Sequence, residues 1–202
     1  MSFWTGTLAE VFYSMPASGQ TLASSVTKTL ISANTTTNPA CQLPAIPWQA
    51  DTITGRAFKV VARGIWGDTG TAPTYAFSVQ LDPTQNSNTS AITLAATSAI
   101  TPTGTSITNG EWEIDFDITF QSVGVSAGSN VANFFTGGHL NFSNGAVNNN
   151  QSTTTQTFLV GTSATQAWTI GQAYWLEVWG TIGTSNAANL LQCTQLLVYG
   201  LR

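Results

Sequence analysis

The chain has 202 residues with five basic side chains, nine acids and one His, so 7% of it is charged, against about 25% in an ordinary soluble domain. A net charge of −4 with Lys28, Arg56, Lys59, Arg63 and Arg202 scattered along the chain excludes general nucleic-acid binding, because no basic stripe exists to neutralise phosphates. So few titratable groups leave little material for enzyme chemistry, while 42% hydrophobic residues with 18 Gly and 7 Pro fit a folded protein that buries a core.

The start, Met1 to Glu10, lacks the basic stretch and apolar run of a secretory signal. No segment approaches the roughly 18 apolar residues of a membrane helix. The expectation is synthesis in a cytoplasm, with no membrane partner. No segment reads as a convincing helix, and Leu8 to Tyr13 is the only one that could make a short one. Pro16, Pro39, Pro44 and Pro47 then interrupt polar runs such as Ser24 to Thr37, and Pro cannot donate to a sheet ladder. Residues 1–51 are therefore expected to form an extended arm carrying one or two edge strands, with Thr27 to Ser32 as one of them. The arm is expected to lie over its own sandwich or over a neighbour.

From residue 52 the hydrophobic period is two. Arg56 to Trp66 is the first strand, and Tyr75, Phe77, Val79 and Leu81 alternate with Thr74, Ala76, Ser78 and Gln80 in the second. Ala91 to Ala96 is the third. Trp112, Ile114, Phe116, Ile118 and Phe120 then alternate with Glu111, Glu113, Asp115, Asp117 and Thr119. Val131 to Phe142, Gln156 to Gly161, Tyr174 to Ile182 and Cys193 to Leu201 complete eight strands. Turn signals separate them: Gly67 to Gly70, Thr108-Asn109-Gly110, Ser143-Asn144-Gly145 and Gly183 to Asn186. Asn144 to Thr157 reads as a long exposed loop. This spacing predicts an all-β fold, an antiparallel β-sandwich of the jelly-roll kind over residues 52–202.

Glu111, Glu113, Asp115 and Asp117 share one face of one strand. Paired carboxylates can hydrolyse a glycosidic bond or bind Ca²⁺, but catalytic carboxylates usually come from different strands or loops. Lys59 and Arg63 share a face of their own strand, so cross-strand ion pairing is the expected role of the acids. His139 has no nucleophile elbow beside it and too few partners for zinc, and is read as a strand residue. Gly67-Asp68-Thr69-Gly70 lacks the Lys and helix of a phosphate loop. Cys41 and Cys193 are read as free, buried thiols. No catalytic residue, metal ligand or cofactor is expected.

Trp175 and Trp179 share a face of their strand with Glu177 between them, and the opposite face is apolar too. The last strand is likewise apolar on both faces, through Leu196, Leu197, Val198 and Tyr199. Plain core and a carbohydrate platform are the other readings of such tryptophans, but two-faced apolar strands point first to burial in an oligomer, a homotrimer being expected. The expected contact residues are Trp4, Phe12, Trp48, Trp175, Trp179, Leu197 and Tyr199.

Thr54-Gly55-Arg56-Ala57-Phe58-Lys59-Val60-Val61-Ala62-Arg63-Gly64, then Thr69 to Thr74 and Phe77-Ser78-Val79-Gln80-Leu81, resembles a strand-and-turn pattern of tailed-bacteriophage virion proteins. Trp112 to Asp117, Gln121-Ser122-Val123-Gly124, the opening Met1 to Gly6 and Leu43-Pro44-Ala45-Ile46-Pro47 are similar to the same pattern. One departure is Leu81-Asp82-Pro83, where the pattern has Leu-Gly-Gly. The resemblance implies a jelly-roll virion component, a decoration protein on the capsid exterior or a minor tail or fibre protein, with the major capsid protein as partner and a bacterial host cytoplasm as the place of synthesis. It carries no functional residues over. The alternative expectation is a tail-fibre or tail-tip module that binds host surface glycan in a groove lined by Trp66 or Trp168 and the Asn-rich loop.

Overall fold

The computed structural model describes residues 10–33, 40–43, 57–68, 73–102, 106–124, 131–143, 155–169 and 171–201. The described chain is all-β and antiparallel. Its strands are β1 (Glu10–Ser14), β2 (Leu22–Ala23), β3 (Thr29–Leu30), β4 (Cys41–Leu43), β5 (Ala57–Gly67), β6 (Tyr75–Asp82), β7 (Ile92–Ala96), β8 (Gly110–Gly124), β9 (Val131–Ser143), β10 (Thr155–Thr169), β11 (Tyr174–Ile182) and β12 (Leu190–Leu201). All eight strands expected beyond residue 52 are present. The sixth runs on to Thr169, past a register shift between Thr162 and Gln166. The described residues hold no helix, and the described part of Leu8 to Tyr13, the one segment able to make a short helix, instead pairs with β12 as part of Glu10–Ser14. Val11, Phe12 and Tyr13 suit a pleated surface better than a helix.

The larger sheet runs β1-β12-β5-β8-β9-β10, with β2 also on β12, and curls into a half-barrel. The smaller runs β3-β11-β6-β7, with β4 also on β11. Period-two alternation decides what faces inward. Val60, Ala62 and Trp66 of β5, Trp112 to Phe120 at even positions of β8, and Phe134, Leu140 and Phe142 of β9 meet Tyr75, Phe77, Val79 and Leu81 of β6 and Leu176 and Val178 of β11 in one core. Each such side chain contributes about 1.5–3 kcal/mol on burial. Between β5 and β8 the core uses large and small residues as reciprocal partners. Trp66 is opposite Gly110 and Gly64 opposite Trp112, and each indole covers its glycine so closely that a Cβ there would collide with the ring.

The N-terminal strands belong to both sheets. β1 and β2 hydrogen-bond to β12, and β3 and β4 to β11. Met15, Leu22, Ile31, Cys41 and Leu43 lie in the main core. The expected edge strand at Thr27 to Ser32 is present as β3. The Thr108-Asn109-Gly110 turn is also realised, with Asn109 in the left-handed region at φ 59°, which Asn tolerates better than most residues.

Candidate docking edge and charged face

The structure brings together three of the expected contact residues. Among the described residues β1 is the edge of the larger sheet, and its register sets Val11 opposite Tyr199 and Ser14 opposite Leu197. A register shift between Val11 and Tyr13 places Phe12 at the bulge, where its ring meets Phe58 edge-on at 6.0 Å. Phe12 nonetheless stays 42% exposed and Val11 56%, while Leu197 and Tyr199 are half-buried. Trp4 and Trp48 lie outside the described residues.

Trp175 and Trp179 stand on the other sheet, away from that edge. Trp179 is buried in a second small core with Leu30, Ala33 and Ala40, and half-buried Trp175 packs against it. Lys28 Nζ sits 5.5 Å from the Trp179 ring centroid. Among the described residues, the apolar outer face of β11 is thus covered by Lys28, Leu30, Ala33 and Ala40 of the same chain. Trp66 and Trp168 have no exposed surface, so neither can line the saccharide groove expected of a glycan binder. Trp66 stacks on Phe142 and Trp168 packs among Phe120, Phe134 and Tyr174.

The acidic row lies on the outer face of the larger sheet, as its period requires. Arg63 is directly opposite Glu113 and pairs with it. Lys59 is opposite Asp117 but donates to the diagonal Asp115 at 2.7 Å, and that hydrogen bond holds the ammonium above its ordinary pKa. Glu111 and Asp117 are exposed. An open groove of about 860 Å³ passes over this face between Arg63, Ile65, Glu111, Glu113, Asn141, Ser143, Thr194 and Gln195. Within it Arg63 and Glu113 form an ion pair, and Glu111 lies exposed beside them. His139 is half-buried on β9 opposite Asp115. Among the described residues no group of three or more His, Cys, Asp or Glu is placed to hold a metal. Cys41 and Cys193 are free and buried, and burial pushes both thiols up to about 12.

Sequence reasoning missed a buried polar stripe on the smaller sheet. Ser78, Gln80 and Asp82 alternate along the outer face of β6 and face Trp179, Glu177 and Trp175 of β11 in register. Glu177 and Asp82 have no exposed surface and Gln80 is 5% exposed. Glu177 Oε1 accepts the Asn86 N–H at 2.6 Å and its Oε2 accepts the Trp179 indole N–H at 3.1 Å. Burial raises the Glu177 carboxyl above the ordinary range and the Asp82 charge adds to this, opposed by the Asn86 and Trp179 donors and by Lys28. Asp82 Oδ1 accepts the Thr84 N–H at 2.9 Å, but Asp82 Oδ2, Gln80 Oε1 and Ser78 Oγ are buried with no hydrogen-bond partner. The signal was present as polar residues at period two, which read equally well as a solvated face.

Comparison with protein-family models, with curated proteins and with solved structures finds no match to this chain.

Proposed function

We propose that the chain is a non-enzymatic structural protein of a tailed-bacteriophage particle, a decoration protein that self-associates on the outer surface of the head and reinforces the shell. The observation that carries this reading is the β1–β12 edge, where Val11 and Phe12 are exposed beside half-buried Leu197 and Tyr199. An apolar edge strand is a template for pairing with another chain, and monomeric proteins normally blunt such edges with charge or Pro. This one carries a single charge, Glu10, at its start.

The pairing of β5 with β12 and of β6 with β11 is a jelly-roll feature that supports this form of the reading, while the β8-β9-β10 meander within one sheet and the β6-β7 hairpin within the other depart from it. The low charge supports attachment by apolar burial, with stable contacts in the range of roughly 1,200–2,000 Å². In this reading the trimer forms through the β1–β12 edge and bridges neighbouring copies of the major capsid protein. The protein is made in the host cytoplasm and ends on the capsid exterior.

The test is a Val11→Ser, Phe12→Ser double variant of the full chain, compared with wild type by sedimentation and by binding to heads that lack the protein. Wild type is expected to sediment as a trimer and saturate the heads, and the variant to sediment as a monomer with binding at least tenfold weaker. A variant that keeps its assembly state and full occupancy overturns the role of this edge. A second reading, glycan binding by a tail-fibre module, is favoured by the groove over Glu113 and Asn141 with its hydrogen-bonding rim. Saccharide titration followed by tryptophan fluorescence, wild type against Asn141→Ala, distinguishes it: a saturable change that the variant weakens supports glycan binding in the groove lined by Trp112 and Asn141, and a flat response in wild type counts against it.

A further inference from the structure

We propose that Asp82, Gln80 and Glu177 form a site for a hard divalent cation, Ca²⁺ in the first place, under the loop that follows β6. The argument begins with what the buried atoms lack. A polar atom buried without a partner forfeits its hydration, and each such atom in a folded protein calls for a bound species to satisfy it. Here three of them, on Ser78, Gln80 and Asp82, lie on one face of one strand. The carboxylate and amide oxygens are acceptors only, so either a donor or a cation satisfies them, and the negative charge gathered beside them favours a cation.

Glu177 supplies the facing wall. It is directly opposite Gln80 and diagonal to Asp82, so the three side chains leave adjoining positions on one face of the sheet, and an ion with ligand distances of about 2.3–2.6 Å requires their oxygens to close to about 5 Å of one another. The charges that face this spot are Asp82 on β6, Glu177 on β11 and Lys28 ahead of β3; β7 contributes the uncharged Thr93 opposite Gln80 and the loop contributes Thr84, Asn86 and Asn88. One ammonium against two buried carboxylates leaves one negative charge unbalanced. Lys28 is also turned partly away, donating to Asn88 Oδ1 at 2.9 Å and lying over Trp179.

The donor chemistry selects the ion. With no His or Cys on this face the site suits a hard cation. Ca²⁺ accepts irregular oxygen shells completed by carbonyls and water, whereas Mg²⁺ demands a near-ideal octahedron. Two carboxylates give a weak site, with Kd of about 10⁻⁴ to 10⁻³ M. Occupancy clamps the loop to β11, because Glu177 already holds the Asn86 N–H and Asp82 the Thr84 N–H.

The experiment uses Tb³⁺ as a luminescent stand-in for Ca²⁺ on the intact chain, excited through the adjacent tryptophans, Trp179 and Trp175. A saturable Tb³⁺ signal that Ca²⁺ displaces is expected, weakened at least tenfold in Asp82→Asn and in Gln80→Leu and unchanged in Asp117→Asn on the opposite sheet. Ca²⁺ at about ten times Kd is expected to raise the wild-type Tm by about 4 °C. Gln80→Leu removes the amide oxygen without adding a polar group, and serves if Asp82→Asn does not fold. Absence of both the Tb³⁺ signal and the Tm shift overturns the proposal. So does a signal that Asp82→Asn and Gln80→Leu leave intact, or one that Asp117→Asn abolishes.

Discussion

Gly137 and Gly138 are neighbours on β9, yet alanine at the two positions should have opposite effects. Gly138 is opposite Phe116 and Gly137 opposite Asp117, so period two sends their missing side chains to different faces of the sheet. A Cβ on Gly138 would meet the Asp115 carbonyl oxygen and the Phe116 Cα and Cβ, all nearer than the 3.0 Å that real Cβ atoms keep, whereas a Cβ on Gly137 meets nothing within 4 Å. The obstacles at Gly138 are backbone atoms and the root of a buried Phe, which cannot withdraw without stretching the β8–β9 ladder. Overpacking of this kind costs about 1–3 kcal/mol, and rigid neighbours put Gly138→Ala at the upper end, about 3 kcal/mol. Gly137→Ala keeps only the gain of replacing a flexible residue inside a strand, about 0.5 kcal/mol. For a chain of this size the Tm should fall by about 6–12 °C in the first and rise by about 1–2 °C in the second. Thermal unfolding by circular dichroism reads both. Equal shifts in the two variants would refute the facing assigned to β9 and with it the register of β8 against β9.

Arg63→Ala should lower the Tm by only about 1–2 °C, since an exposed ion pair contributes about 0–1 kcal/mol, and the loss should shrink in high salt; no change at low salt removes the pairing with Glu113 as a stabiliser. With both thiols buried and pushed up to about 12, Cys41 and Cys193 should resist a disulfide reagent in native protein and react together on denaturation. Rapid labelling of the native protein would contradict their burial. Glu177 has a raised pKa in the fold, so folding favours its protonated form. That contribution is full below the unfolded value of about 4.3 and is lost as pH rises through the raised folded value. With divalent cations chelated, the stability of wild type relative to Glu177→Gln should therefore decline from acid towards neutral pH, as followed by denaturant midpoints; a constant difference would show that Glu177 titrates normally.

Much of the fold was legible because half-buried strands write their facing into the sequence. Trp112 to Phe120 and Tyr75 to Leu81 alternate so regularly that strand, face and core membership follow together, and the Lys59 and Arg63 partners follow from the same alternation. The N-terminal region was harder. Glu10–Ser14 carries Val11, Phe12 and Tyr13 in succession without alternation, and β2 and β3 have two residues each, too short for a period to show. Those strands exist because β11 and β12 offer them hydrogen bonds, a tertiary effect that local pattern does not carry. The Trp175 and Trp179 face was legible as apolar, but its cover comes from Leu30, Ala33 and Ala40, distant in sequence. The stripe of Ser78, Gln80 and Asp82 was hidden for the opposite reason. Polar residues at period two signal solvent unless something covers them, and here the cover includes a loop held by Glu177, 91 residues from Asn86 in sequence.

The proposed function requires a tailed phage that encodes this chain, and the measurement that tests it most directly is electron microscopy of intact virions of that phage, labelled with gold-conjugated antibody against this protein. A decoration protein gives label in a regular array over the head, with full-length wild type binding and the Val11→Ser, Phe12→Ser variant absent from complemented particles. Label confined to the tail, or absent from every particle, contradicts head decoration.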